Sequence, residues 1–371
     1  EALTADLVGL HNTTQTSPYL SVRARLPDFA RTDLETLMWP SWRLARIRAM
    51  RLTMFIFPHD LIEIAAAATR HLREALAARW LRDSGLSAPE FERMADAIEE
   101  ALSDGPLTSR ALRQRLRVPG SIDLPGIVSR MCDLGRLVGG RPPRQWRSGV
   151  RQYHCWADVL PDVDLNRWDE DAAIAELVRR YIASYGPVTI DDMAWWTGLT
   201  KGRCRLALEQ LGSKVEPVGV AEWPGPLYRI GEGPPQTTPD HDVKALPLLD
   251  PYVQGYRNRA RLVAPDRHEF VWDRGGNAAA TVVRRGRIIG VWQVVTDPEP
   301  AVRFYLFDPE PNSVVEATVS ELAATGALYF DEEVAVAQVD AMEPLGAGGG
   351  RSAAHPLDAQ LHRASRRSGD S

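Results

Sequence analysis

At 371 residues the chain is too long for one ordinary core and suits roughly two to four modules. Hydrophobic residues make up 44% and charged residues 25%, which excludes a disordered or fibrous chain. The formal charge of -5 argues against a protein that is basic throughout, so a nucleic-acid partner would have to be met by local clusters of cations.

In chain order, the polar run His11-Asn12-Thr13-Thr14-Gln15-Thr16-Ser17-Pro18 reads as a loop feeding a helix, with Tyr19, Leu20, Val22 and Leu26 at helical spacing. Thr32 and Asp33 are placed to cap a second helix carrying Leu34, Leu37 and Met38, which Pro40 ends. Trp42 to Met50 reads as a short basic helix, with much of Arg43, Arg46, Arg48 and Arg51 on one face. Arg51 to Phe57 has the alternation of a strand closed by Pro58. One long helix is expected from about His59 to Arg82, and another from Ala88 to Ser103.

An internal repeat follows. Asp104-Gly105-Pro106-Leu107-Thr108 recurs in softer form as Tyr185-Gly186-Pro187-Val188-Thr189, each copy standing between two helical segments. In the second copy Ile174 to Ser184, Ile190 to Trp196 and Gly202 to Leu211 give three helices. In the first, Asp123 to Leu134 is the third helix, with strands from Arg136 to Gly140 and Gln152 to Val159 enclosing a wing. Helix, helix, helix and then strands is the winged-helix plan, with Gly-Pro as the tight turn and Thr as the cap. Coincidence in a Pro-rich chain is the alternative, and the shared helical context weighs against it.

Gly231 to Pro239 reads as a linker. Beyond it Phe270 to Trp272, Ala280 to Val283, Arg287 to Val294 and Val302 to Phe307 read as strands, with Arg285-Gly286 as a turn. A helix around Ser320 and Glu321 precedes a last strand-like run, Val334 to Val339. The expected architecture is therefore α+β, mainly α, built of tandem winged-helix modules with a β-containing C-terminal module. The modules are an N-terminal one at 1–87 with a candidate catalytic loop, one at 88–163 with a basic wing, one at 164–232, and the β-rich one at 233–345. A disordered tail at 346–371 carries Arg363, Arg366 and Arg367.

The strongest charge feature runs from Arg110 to Arg151, where ten arginines face only Asp123 and Asp133. Arg136, Arg141, Arg144, Arg147 and Arg151 lie on or beside the predicted wing, with Trp146 interleaved, as contact with a phosphate backbone would require. A solvated face is the alternative, although such a face normally mixes both signs. Arg43, Arg46, Arg48 and Arg51 form a second cluster, and Arg257, Arg259 and Arg261 a third; three clusters in three modules can line one groove.

Other chemistries lack their residues. There is no phosphate-cradling Gly-rich loop, no G-x-S-x-G and no H-E-x-x-H, and the three cysteines are too widely spaced for a zinc site and read as buried thiols. No run reaches about eighteen apolar residues and no signal-peptide pattern is present, so a cytoplasmic protein is expected.

The runs Leu10 to Leu20, Arg23 to Pro27 and Met50 to Phe55, together with Leu248-Leu-Asp-Pro-Tyr-Val-Gln-Gly-Tyr-Arg257 and Gly290-Val-Trp292, resemble the winged-helix DNA-binding family that includes the AlkZ and YcaQ glycosylases. The resemblance spans roughly residues 5 to 340. It implies three tandem winged-helix motifs in a concave cationic shape, a double-stranded DNA partner carrying alkylated or crosslinked bases, and no metal or cofactor. A monomer is expected. The family's loop carries Gln-x-Gln or Gln-x-Asp, which positions water and stabilises the sugar cation, and those two positions fall here on His11 and Thr13. Asn12 and Gln15 offer further donors and acceptors. Asp250 is either an electrostatic partner in the same cleft or, as an Asp before Pro, a turn former, and the turn reading weighs more.

An N7-alkylated purine is already a cationic leaving group, so its release needs oriented water and support for an oxocarbenium-like sugar more than a strong acid. A neutral His11 can accept a proton from that water while Thr13 holds it in line. The bland alternative is that both residues cap the following helix or bind phosphate. The preferred function is a monofunctional DNA glycosylase acting on bulky or crosslinked N7-alkylpurines, with self-resistance to a DNA-alkylating natural product as a further expectation from the family. The alternative is a non-enzymatic winged-helix DNA-binding protein, either a damage binder or a regulator.

Overall fold

The computed structural model describes residues 1–143, 145–220, 223–231 and 242–345. Arg144, the expected tail at 346–371 and most of the predicted linker lie outside the described residues. The chain forms two compact units, each assembled from two stretches: Glu1–Gly9 with Glu35–Ile230, and Leu10–Leu34 with the described residues from Gly231 to Leu345. The expected N-terminal module at 1–87 is thereby divided. Leu20 of the helix Ser17–Arg23 belongs to the same apolar core as Trp292, Val302 and Phe304, so the candidate loop and its helix join the C-terminal module.

In the first unit, Leu44–Arg48 is a strand, not the basic helix expected of it, and pairs antiparallel with Met54–Pro58. The side chains alternate: Arg46 and Arg48 lie on one face, Ala45 and buried Ile47 on the other. Pairing with a strand further along the chain overrides the spacing of the arginines. The long helix expected from His59 to Arg82 is two, His59–Ala68 and Arg70–Ser84. They part at Thr69, whose hydroxyl donates back to the Ala65 carbonyl at 2.7 Å.

The stretch from 88 to 159 runs helix Ala88–Leu102, strand Leu107–Thr108, helix Ser109–Arg115, helix Leu124–Asp133, strand Leu137–Gly139 and strand Gln152–Cys155. Gln152–Cys155 is the middle strand of the sheet, and Phe91, Ile98, Leu112, Ile127, Met131 and Leu137 fill the core beneath it. Residues 156–159, expected to continue that strand, form a helical turn. The next stretch repeats the order with helices Glu170–Tyr185, Ile190–Thr197 and Lys201–Leu211 followed by the hairpin Glu216–Val218 and Leu227–Arg229.

Both repeat threonines do as their positions predict. Thr108 Oγ1 accepts from Ala111 N at 3.2 Å, and Thr189 Oγ1 accepts from Asp192 N at 3.0 Å, completing a reciprocal cap with the Asp192 carboxylate. The turns before them differ: Gly105 is left-handed at φ 129°, whereas Gly186 is not and leads into a cis Pro187.

The second unit is a five-stranded sheet in the order Ala335–Gln338, Ala301–Leu306, Arg287–Val295, Thr281–Arg284, Val243–Leu246, antiparallel except for the parallel first pair. The helix Asn312–Phe330 covers it through Val314, Leu322 and Tyr329. Arg285 and Gly286, at φ 49° and 73°, make the two-residue hairpin turn read from the sequence. Phe270 to Trp272 is not the predicted strand. His268–Val271 is a helical turn, and only Trp272 bridges, to Ala278. No helix among the described residues is long and apolar enough to cross a membrane.

Candidate functional site

The loop His11 to Ser17 presents its side chains alternately. His11 and Gln15 are half-buried and Thr13 is exposed, while Asn12, Thr14 and Thr16 are buried. The buried set holds the loop in shape. Asn12 Nδ2 donates to the Thr14 carbonyl at 3.1 Å, and the hydroxyls of Thr14 and Ser17 share a short hydrogen bond. Ser17 Oγ donates onward to the Leu248 carbonyl at 2.7 Å. His11, Thr13 and Gln15 are thus the loop's solvent-side residues, and the backbone N–H of Thr13 points at His11 Nδ1, 3.5 Å away.

The helix that follows is anchored by one carboxylate. Asp250 has no solvent exposure and accepts from Ser21 Oγ at 2.7 Å, from both Nη atoms of Arg25 at 2.8 Å, and from the backbone N–H of Tyr252 at 3.0 Å. With both oxygens committed, Asp250 caps the turn Pro251–Gln254 and ties it to the loop's helix, so it is not open to a substrate. Two sequence motifs 229 to 231 residues apart therefore meet, through Ser17 to Leu248 and Ser21 to Asp250 (about one turn of helix separates the two contacts). Ser17, Ser21 and Arg25 were not singled out from sequence; their signal is the recurrence every fourth residue, which puts polar groups on one face of a buried helix.

The predicted DNA-contacting arginines separate into those used internally and those facing outward. Arg136 is held by Glu92, Asp96 and Glu99 at 2.6–2.8 Å, and hydrogen bonds to Glu99 raise its already high pKa further. Arg136 therefore clamps its strand's approach onto the helix Ala88–Leu102. Arg48 is engaged by Asp133 at 3.1 Å and Ser129 at 2.9 Å. Asp133 is nevertheless pushed above the usual carboxylate range by burial, which outweighs Arg48, Arg73 and Arg130. Arg51 is left-handed at φ 53° and stacks on Trp195, 3.9 Å from the ring centre.

Arg43 is exposed and paired with Glu1, and Arg141 is exposed with Glu35 at 3.4 Å. Arg110 and Arg117 are also exposed. On the wing, Arg147 lies 6.0 Å from the ring centre of Trp146, and Arg151 is buried. In the second unit Arg257 is exposed, whereas Arg259 donates to His268 Nε2 at 3.1 Å and covers Trp272 at 4.6 Å. A cleft of about 440 Å³ is lined by Arg257, Arg259 and His268 with apolar neighbours Val263 and Pro265.

Among the described residues no group of three or more His, Cys, Asp or Glu side chains is placed to hold a metal ion. Cys204 is buried, Cys132 and Cys155 are half-buried, and none is in a disulfide. Burial pushes the Cys132 thiol up to about 12 and the Cys204 thiol up to about 11, far from a reactive thiolate.

Comparison with known proteins bears on what these parts serve. The chain is 26% identical over 160 residues to the "Interstrand DNA cross-link repair glycosylase" of Streptomyces sahachiroi, a match covering 42% of this chain and 43% of that protein. Its fold superposes on the solved structure of "Streptomyces sahachiroi DNA glycosylase AlkZ" with a TM-score of 0.71, covering 91% of this chain and 92% of that one at 20% identity. Residues 4–332 match the family described as "DNA glycosylase AlkZ-like". With nearly its whole described length inside that match, the chain belongs to the AlkZ-like DNA glycosylase family.

Proposed function

We propose that the protein is a monofunctional DNA glycosylase that hydrolyses the N-glycosidic bond of bulky or crosslinked N7-alkylated purines in double-stranded DNA. Membership of the family and the printed name of the crosslink-repair relative support the reaction class and the crosslinked substrate. The observation that carries the reading is the loop itself: a buried scaffold of Asn12, Thr14 and Ser17 that leaves His11, Thr13 and Gln15 on the solvent side.

The chemistry suits these residues. With Nδ1 facing the Thr13 N–H the ring proton sits on Nε2, so His11 orients the water as a donor and does not take the proton expected of it from the sequence, while the Thr13 hydroxyl offers an acceptor. Water held between them attacks C1′ as the cationic base departs with the bonding electrons, and the surplus proton passes to solvent. The Thr13 hydroxyl oxygen presents its negative end to the developing sugar cation. We read the stretches 88–163 and 164–232 as winged-helix modules, and outward-facing Arg43, Arg110, Arg117 and Arg141 as phosphate contacts.

The exchange of both family loop positions, to His11 and Thr13, favours one second reading: a damage binder without base release. Incubation with duplexes carrying a bulky N7-alkylguanine or an interstrand crosslink, followed by alkaline strand cleavage, separates the two. Release of the modified base supports the glycosylase; tight, lesion-selective binding without release supports the binder. Self-resistance in a producing organism would follow from the first outcome, tested by survival of a sensitive host expressing the chain.

A further inference from the structure

We propose that Arg46 and Arg151, which cross the same glycine, form an anion seat that takes a phosphodiester oxyanion of the DNA backbone. The choice of DNA as the source of that anion rests on the glycosylase reading; the seat itself does not.

Arg46 stands in mid-strand opposite Ile56, and Arg151 stands just before the strand Gln152–Cys155 at the base of the wing. Gly139 lies between them. A Cβ on Gly139 would sit 3.4 Å from Arg151 Cδ, 3.8 Å from Arg46 Cδ and 3.9 Å from Arg46 Nη1, so both side chains run over one point of the chain. Arg151 is only 7% exposed, while Arg46 is half-buried and keeps an edge toward solvent.

Neither cation is matched. Arg151 Nη2 and Arg46 Nε are buried without a hydrogen-bond partner among the described residues. No ion pair joins either residue to a carboxylate there, whereas nearby Arg48 has Asp133. Burial lowers Arg46 to about 10, with Arg48 pushing the same way; Tyr153 and Cys132 act in the opposite sense. Two arginines that pass one glycine, each with a buried guanidinium nitrogen lacking a partner and no counter-charge among the described residues, are costly for a fold to keep, and an anion arriving from outside lowers the cost.

The chemistry of that anion follows from the donors. Paired planar guanidinium groups suit a tetrahedral oxyanion, which can take a hydrogen bond from each. The atoms nearest Gly139 come from two cations, and a phosphate oxyanion, which needs only charge-assisted donors and no base-reading side chain, suits them.

The test uses the full chain, as wild type and as Arg46→Met and Arg151→Met. At about 5 mM phosphate, too dilute for a general salting effect, the wild-type Tm should rise above its value in chloride of equal ionic strength, and the rise should vanish in both variants. In chloride the variants should melt no lower than wild type, because an unmatched buried charge has been removed. On unmodified duplex DNA each variant should bind about tenfold more weakly, with the slope of log K against log salt shallower by about 0.9.

Variants that keep the phosphate-dependent rise, or that bind DNA with wild-type affinity and slope, overturn the proposal. If a methionine variant does not fold, wild type decides alone: no rise in dilute phosphate overturns the seat. A wild type that shows the rise but neither binds DNA nor releases bases retains the seat and removes the glycosylase reading. Base release by wild type with both variants unaltered does the reverse.

Discussion

Arg25 and Asp250, 225 residues apart in the chain, face each other through two hydrogen bonds of 2.8 Å, with the carboxylate sealed from solvent. This pair fixes the helix that begins where the candidate catalytic loop ends. Replacing Arg25 by Met leaves a buried carboxylate with only Ser21 and one backbone N–H, and should cost about 3–5 kcal/mol in urea denaturation. Adding Asp250→Asn to Arg25→Met should restore part of that loss, since the uncompensated charge goes with it. Equal stability of Arg25→Met and wild type would show that the pair does not anchor the helix.

Ser17 transmits the same anchoring to the loop, because it joins the Thr14 hydroxyl to the Leu248 carbonyl. Ser17→Ala should lower stability by about 1–2 kcal/mol, the usual cost of stranding buried partners. Base release should fall further than that loss of folded protein explains, with the change in kcat and not in substrate affinity.

Arg136, held by three carboxylates, and Arg141, exposed beside Glu35, should respond differently to truncation. The Arg136 partners Glu92, Asp96 and Glu99 are themselves partly exposed, so solvent screening keeps the worth of the cluster modest. Arg136→Ala should lower stability by about 1 kcal/mol while leaving duplex affinity within about twofold of wild type. Arg141→Ala should do the opposite, with unchanged melting and a shallower salt dependence of binding.

His268 supplies a pH dependence. Burial, reinforced by the Arg259 guanidinium, holds its imidazole below the ordinary histidine value, and Nε2 accepts from Arg259 at 3.1 Å. A depressed folded pKa means that the unfolded chain binds the proton more readily in the window beneath about 6.5, so stability rises with pH there. The contribution is present above that value and lost as pH falls through the folded pKa. Urea melts from pH 7 down to pH 5 should show this loss, and His268→Gln, which keeps an acceptor but does not titrate, should flatten it. An unchanged slope in His268→Gln would assign the pH dependence elsewhere.

Much of this organisation is legible along the chain where the deciding interactions are local. Thr108 and Thr189 cap the helices that follow them, Asp123 starts the helix Leu124–Asp133, and Arg285-Gly286 turns a hairpin, each through partners within a few residues. Leu44–Arg48 misled because its strand character depends on Met54–Pro58, while its arginines happen to fall at helical intervals. The ion pairs of Arg136 are hidden for a related reason: the acids that neutralise it lie 37 to 44 residues earlier, outside any window in which the arginine cluster is counted. At the loop, sequence pointed to His11 and Thr13, but only the fold shows that Asn12 and Thr14 turn inward and that Asp250 is consumed in holding the helix.

The most direct test of the account is base release from a duplex carrying a bulky N7-alkylguanine, scored by strand cleavage after alkali, for wild type, His11→Ala and Thr13→Ala. Wild type should release the base, and release should fall at least about tenfold in His11→Ala and severalfold in Thr13→Ala, with duplex binding retained in both. No release by wild type from small, bulky or crosslinked adducts, with binding intact, would contradict it.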